Sequence, residues 1–277
     1  MPVVTATLAL IIFAAGAVSG SLGALLGLGG GVFLVPFLNL VLGFPFTVAA
    51  AISLTTVIAT SSSVSAGRAG QQLINMKLGM LLEVATAAGS FLGGITAALI
   101  AQSVLQKLFG FVAAIVAVIM LTRLRRRNVI LDPSVDPGVL GGRFHEQESG
   151  CVVTYRVKRL PVAIVASFLA GNVSSLLGIG GGIIKVPILN AWCGVPLRAA
   201  AATSAFMIGV TATAGATIYY GHGQLQPALA AAACLGVQLG SWGGMKFGAA
   251  ASSKWLKILM AAVLVIVSAM MFLRGGR

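Results

Sequence analysis

Two glycine-rich segments contain the residue types best suited to bind an anion. Residues 26–31 read LGLGGG and residues 177–182 read LGIGGG. Each glycine destabilises a helix by about 1 kcal/mol, so each segment predicts a helix break. The helix after the break would expose unpaired N–H groups and a positive dipole end. We therefore predict an anion site built from the backbone of six glycines: Gly29, Gly30, Gly31, Gly180, Gly181 and Gly182.

Charged side chains inside apolar segments are the next candidates, because a charge at the bilayer centre costs about 2.5–3.5 kcal/mol on insertion scales. Lys185 lies three residues after Gly182, where its ammonium would reinforce the anion site. The alternatives are snorkelling to the membrane interface or an ion pair with Glu83. Glu83 could exchange a proton or serve only as the buried partner of a lysine. Lys246, near the end of its segment, is expected to snorkel.

Hydroxyl and amide side chains recur at matching places after the two breaks. Hydroxyls can donate to an oxyanion without adding charge, although back-bonding to the helix and packing between helices are equally good interpretations. The amides could reach the anion or brace the break. The candidates are Ser53, Ser204, Asn39 and Asn190, with Thr60 and Thr211 seven residues along the same helical faces as the two serines.

The elements that position these residues are those of a membrane protein. Of the 277 residues, 58% are hydrophobic and 8% are charged, whereas about 25% are charged in soluble domains. This excludes an ordinary water-soluble enzyme and predicts an all-α, polytopic helical membrane protein. The net charge is +13, but eight of the 18 basic residues lie within residues 123–159. We interpret them as an orientation signal that keeps this linker cytoplasmic, so nucleic acid is not an expected partner.

The apolar segments repeat after a shift of 151 residues (178 − 27), and residues 20–60 share 18 identities in 41 positions with residues 171–211. We predict two homologous repeats, residues 1–122 and 160–277, joined by the basic linker 123–159. We expect inverted repeats, each with a broken or re-entrant helix, so that the two half-helices form one midplane site. The predicted segments are 3–26, 32–42, 47–66, 78–100 and 104–122, then 160–177, 183–193, 197–219, 227–250 and 254–274.

The glycine-rich segments have two other interpretations. Glycines at helix interfaces can simply permit close packing, which suits isolated pairs such as Gly89 and Gly93 better than three consecutive glycines. A phosphate-binding P-loop is weakly supported, because neither segment ends in the Gly-Lys-Ser/Thr sequence.

The paired LLGxGGG, VPxLN and GxP motifs, the two-half organisation and the chain length resemble the sulfite exporter TauE/SafE family of membrane permeases. The resemblance covers both halves, outside residues 123–159. It implies a secondary transporter of small anionic sulfur compounds, such as sulfite, sulfonates or sulfoacetate-like molecules. It selects neither one substrate nor the direction of transport.

We therefore expect a permease that moves such anions across the plasma membrane by alternating access, and not an enzyme. The alternatives are an anion channel and a membrane scaffold protein; a membrane enzyme ranks lower, because no acid/base pair or triad stands out. The expected partners are a small anionic substrate and the lipid bilayer, with proton coupling and a homodimer left open. No cofactor or metal is expected, since Cys and His show no ligand spacing.

Overall fold

Ten helices and one β-hairpin form the described part of the protein. The computed structural model describes residues 5–26, 29–68, 73–122, 136–145, 152–248 and 253–274. Six of the described helices are long and apolar enough to cross a membrane, which confirms the predicted all-α polytopic architecture. The helices are α1 (Ala6–Leu26), α2 (Gly31–Pro36) with a π-helical turn (Phe37–Val41), α3 (Phe46–Arg68), α4 (Met76–Leu99), α5 (Gln102–Thr122), α6 (Leu160–Leu177), α7 (Gly182–Ala191), α8 (Leu197–Gly221), α9 (Pro227–Gly248) and α10 (Ser253–Arg274).

Both predicted helix breaks lie where the glycines are. The chain is non-helical between α1 and α2 at residues 29–30, and between α6 and α7 at residues 178–181. Gly29 and Gly180 occupy the same left-handed conformation, with φ of 79° and 81°, which side chains with a Cβ avoid. The glycines therefore supply the backbone conformation that ends each long helix before a half-helix begins.

The two repeats interlock through equivalent contacts. α1 packs along α9, and α6 packs along α4. A methyl group at Gly89 would overlap the carbonyl of Phe168, and one at Gly240 would overlap the carbonyl of Ala17; these two contacts are related by the 151-residue shift. Close backbone approach therefore explains the glycines of these two interfaces.

The directions of three long helices bear on the expected inversion of the repeats, which stays a prediction. α4 and α8 run side by side in the same direction, because Gly79 lies against Thr203 and Gly94 against Ile218. The short connection after α8 turns α9 back, so α9 runs opposite to its equivalent, α4. Opposed directions of equivalent helices are what inverted repeats predict.

Helices α6 and α7 form a re-entrant pair. The backbone N–H of Lys158, just before α6, donates to the carbonyl of Cys193, just after α7, at 2.9 Å. The pair therefore begins and ends at the same end of the bundle, which we name the linker end because α4, α6 and α8 also begin there. The half-helix α7 returns from the break without crossing the bundle.

The linker contains a β-hairpin where the sequence suggested only a loop. Strands β1 (Gly142–His145) and β2 (Val152–Tyr155) pair antiparallel, and Phe144, Val153 and Tyr155 are buried against the linker end of the bundle. Asn75, which caps α4, donates through Nδ2 to Tyr155 Oη at 3.1 Å. Burial raises the pKa of the Tyr155 phenol, so it stays neutral. The strands have four residues each, too few for a clear alternating pattern.

Candidate functional site

A buried ion pair joins the second half-helix to the first repeat. Lys185 Nζ on α7 lies 3.7 Å from Glu83 Oε2 on α4, and the two side chains are 0% and 12% exposed. The pairing with Glu83 was one of the alternatives left open by the sequence; Lys185 does not reach the membrane interface. Because burying each ion costs several kcal/mol, this pair is the most expensive polar contact described in the bundle.

Thr211 on α8 connects the two charged groups. Its hydroxyl donates to Glu83 Oε1 at 2.7 Å and accepts a bond from Lys185 Nζ at 3.3 Å. Ser90 on α4 donates to the Thr211 carbonyl at 2.6 Å. Three helices therefore hold the pair. From the sequence, Thr211 was predicted only as one hydroxyl on a helical face, and Ser90 was not predicted as a site residue. The signal that could have indicated Ser90 is the Gly-Ser pair that recurs in both repeats, at 89–90 and 240–241.

The N-terminus of α7 lies beside the ion pair. The backbone N–H of Lys185 donates to the carbonyl of Gly181, which places Lys185 in the first turn of α7. A cavity of about 10 Å³ lies at this end of the helix, lined in part by Ser174, Gly180 and Gly181. Ser174 is 2% exposed, and its hydroxyl has no hydrogen-bond partner in the part of the chain that the structure describes. This cavity has room for one water, so an anion would fit only after the helices move apart.

The two breaks contact each other across the middle of the bundle. Ser53 on α3 donates to the carbonyl of Gly178 at 2.6 Å, and a methyl group at Gly31 would overlap both that carbonyl and the Ser53 hydroxyl. Near Gly29 the cavity is also only about 10 Å³. The first break therefore contacts the second through Gly31 and Gly178, whereas Gly29 lines one small cavity and Gly180 and Gly181 line another. A shared anion site of the six glycines stays a prediction.

The structure gives the remaining predicted residues different surroundings. Asn39 and Asn190 donate to the carbonyls of Phe44 and Val195 at 2.8 and 2.9 Å, so both brace the turn after their half-helix. Ser204 on α8 is fully buried and is the equivalent of Ser53. The carbonyl equivalent to that of Gly178 belongs to residue 27, which is outside the described residues.

Lys246 differs from Lys185 in its surroundings. Its side chain is exposed in the last turn of α9, and Nζ lies 4.4 Å from the centre of the Trp242 ring. A lysine beside an exposed tryptophan near a helix end is typical of the membrane interface. This arrangement agrees with the predicted snorkelling and makes Lys246 a matched control for Lys185.

The chain is similar to a family of membrane transporters. A family described as Sulfite exporter TauE/SafE matches residues 12–271. The probable membrane transporter protein YunE of Bacillus subtilis is 25% identical over 276 residues, covering 96% of this chain and 97% of its own. The probable membrane transporter protein MJ0441 of Methanocaldococcus jannaschii is 26% identical over 273 residues, covering 93% of each chain. No solved structure matches the chain significantly.

Proposed function

Because the chain belongs to the sulfite exporter TauE/SafE family and is a multi-pass membrane transporter, we propose that it is a secondary transporter of small sulfur-containing anions, such as sulfite or organosulfonates. It acts at the plasma membrane with residues 123–159 in the cytoplasm, where their basic residues are retained. The observation that carries the choice of an anion is the buried ammonium of Lys185 in the first turn of α7.

The proposed site is centred on the N-terminus of α7. The Lys185 ammonium and the N–H groups of Gly180, Gly181 and Gly182 supply positive charge and donors to one place. The hydroxyls of Ser53 and Ser204 and the glycines 29–31 complete the site when the breaks separate. Since the cavities at the breaks are about 10 Å³, rocking of the two repeats must open the site toward one membrane face at a time, which is alternating access.

Glu83 is the proposed coupling residue. Its carboxylate and a substrate anion compete for the same ammonium, 3.7 Å from Glu83 Oε2. Protonation of Glu83 releases Lys185 to the substrate, so that a proton and an anion enter the site together. A Glu83→Gln variant should therefore transport without responding to an imposed proton gradient, while the wild type responds. A pH-gradient response retained by Glu83→Gln would exclude this coupling role.

Flux into proteoliposomes tests the transport proposal. Sulfite, sulfate, thiosulfate and organosulfonates are supplied to the wild type, to Lys185→Gln and to the control Lys246→Gln. Loss of a charged hydrogen bond costs about 1.5–3 kcal/mol, so Lys185→Gln should lower substrate affinity about 10- to 150-fold, and Lys246→Gln should not. Wild-type affinity and rate in Lys185→Gln would overturn the site. Flux that never saturates would indicate a channel instead.

A further inference from the structure

Two apolar grooves run along the outer faces of the half-helices, and the 151-residue shift relates them. The first lies between α1, the half-helix α2 with its π-turn, and α10, with a volume of about 660 Å³; the second lies between α6 and α7, with about 410 Å³. Both have the size of small-molecule sites. Equivalent residues line them, for example Val18 and Phe37 in the first groove, Leu169 and Ile188 in the second.

The first groove ends at an arginine. Leu40, Val41 and Met270 line that end, and Arg274, in the last turn of α10, donates through Nη1 to the carbonyls of Asn39 and Leu40, both at 3.0 Å. These bonds fix the guanidinium beside the groove. They use one of its nitrogens, whereas a guanidinium has five N–H donors in a planar fork. Arg274 is exposed, so its other donors are accessible to a ligand.

Among the residues that the structure describes, no carboxylate lies near Arg274 at this end of the bundle. Gln106, at the start of α5, donates to Asn39 Oδ1 at 2.9 Å, which places Arg274 at the end where α5 begins. The linker joins the opposite end and contains four of the five acidic residues of the sequence; the fifth is Glu83, which pairs with Lys185. No described carboxylate therefore serves as the countercharge of Arg274, and an anionic ligand could do so.

We propose that the first groove binds an anionic phospholipid, with an acyl chain along the groove and the phosphate on Arg274. Guanidinium groups bind phosphate oxygens through paired hydrogen bonds, and the groove opens to the bilayer, where acyl chains are the apolar partner present. The repeat supports the assignment. The equivalent of Arg274 is Arg123 (274 − 151), so the same residue type follows the equivalent helix in the other repeat, although Arg123 lies outside the described residues.

Lipid retention by the purified full chain tests the proposal. The protein is delipidated in detergent, and the binding of phosphatidylglycerol and of phosphatidylcholine is measured by native mass spectrometry. An arginine near a lipid surface contributes about fivefold to the affinity for an anionic lipid, so Arg274→Gln should weaken phosphatidylglycerol binding by that factor. Val267→Trp, which fills the groove between α1 and α10, should abolish it.

Two matched variants control for charge and for bulk. Lys107→Gln removes an exposed charge near the start of α5, at the same end of the bundle, and Val265→Trp adds the same bulk on an exposed face of α10; both should bind phosphatidylglycerol as the wild type does. Retention that is equal in all five proteins, or equal for both lipids, would overturn the proposal. So would a dimer that Val267→Trp splits, because a second copy of the chain would then be the occupant.

Discussion

The two repeats build the same framework, but only one of them carries charges at its half-helix. In the second repeat Lys185 on α7 meets Glu83 and Thr211. The residues at the equivalent places around α2 are Leu34, Cys234 and Thr60. Leu34 is 1% exposed within the main hydrophobic cluster. The framework therefore closes around a leucine as well as around a lysine, and the charged pair is not something that the fold requires.

The absence of charged residues at the equivalent places around α2 indicates that Lys185 and Glu83 serve function and not folding. Replacing a buried ion pair by apolar residues is often neutral, or stabilises a protein by about 1–4 kcal/mol. The equivalent residues around α2 include no charged side chain. A charged pair that persists around α7 is therefore best explained by a task that needs charge, and binding an anion beside the N-terminus of α7 is such a task.

The largest effect is expected when the surroundings of α7 are given the residues found at the equivalent places around α2. The double variant Lys185→Leu/Glu83→Cys should fold with wild-type or higher thermal stability and should transport nothing. The single variant Lys185→Leu leaves Glu83 buried without a cation, so it should lose about 3–5 kcal/mol of unfolding free energy. Thermal melts and proteoliposome flux measure the two properties separately. Transport by the double variant at the wild-type rate would remove the pair from the mechanism.

A smaller effect is expected at the breaks, where Gly30 and Gly181 are equivalent but not alike. Gly30 has φ of 74°, and a Cβ there would lie 2.8 Å from the Ser19 carbonyl oxygen; Gly181 has φ of −69° and its nearest contact would be at 3.2 Å. Gly30→Ala should cost about 1–2 kcal/mol from the left-handed backbone alone, with the overlap added, whereas Gly181→Ala should cost less than about 1 kcal/mol. Denaturant titrations of both variants measure the difference. Equal losses of unfolding free energy in the two variants would mean that the two breaks tolerate a side chain equally well.

The sequence predicts the framework because its signals are local. Three consecutive glycines strongly disfavour a helix, so the two breaks and the half-helices after them could be predicted from the sequence. The long helices could be predicted from the length of the apolar segments. α6, for example, has the bounds predicted for its segment, residues 160–177. The duplication supports each predicted break, because the same pattern occurs in both repeats.

The site was only partly predictable because it depends on contacts between distant segments. Lys185 and Glu83 are each conspicuous in an apolar chain, but their pairing depends on how α7 packs against α4. The bridge through Thr211 depends on α4 and α8 running side by side, which no local pattern encodes. The role of Asn39 was also ambiguous, because bracing the turn at Phe44 and reaching a ligand need the same amide at the same position.

The smallest effect separates the two equivalent threonines. Thr211→Val keeps the side-chain shape but removes the hydroxyl that connects Lys185 to Glu83, so substrate affinity should fall about tenfold, or about 1.4 kcal/mol. Both threonines bond within their own helix, Thr60 to the carbonyl of Thr56 at 2.9 Å and Thr211 to that of Met207 at 3.1 Å. No bond from Thr60 to a charged group is described, so Thr60→Val should leave affinity unchanged. Concentration-dependent flux gives both values. Equal losses of affinity in the two variants would show that both hydroxyls only stabilise their own helices. The functional difference between the two half-helices would then depend on Lys185 and Glu83 and not on Thr211.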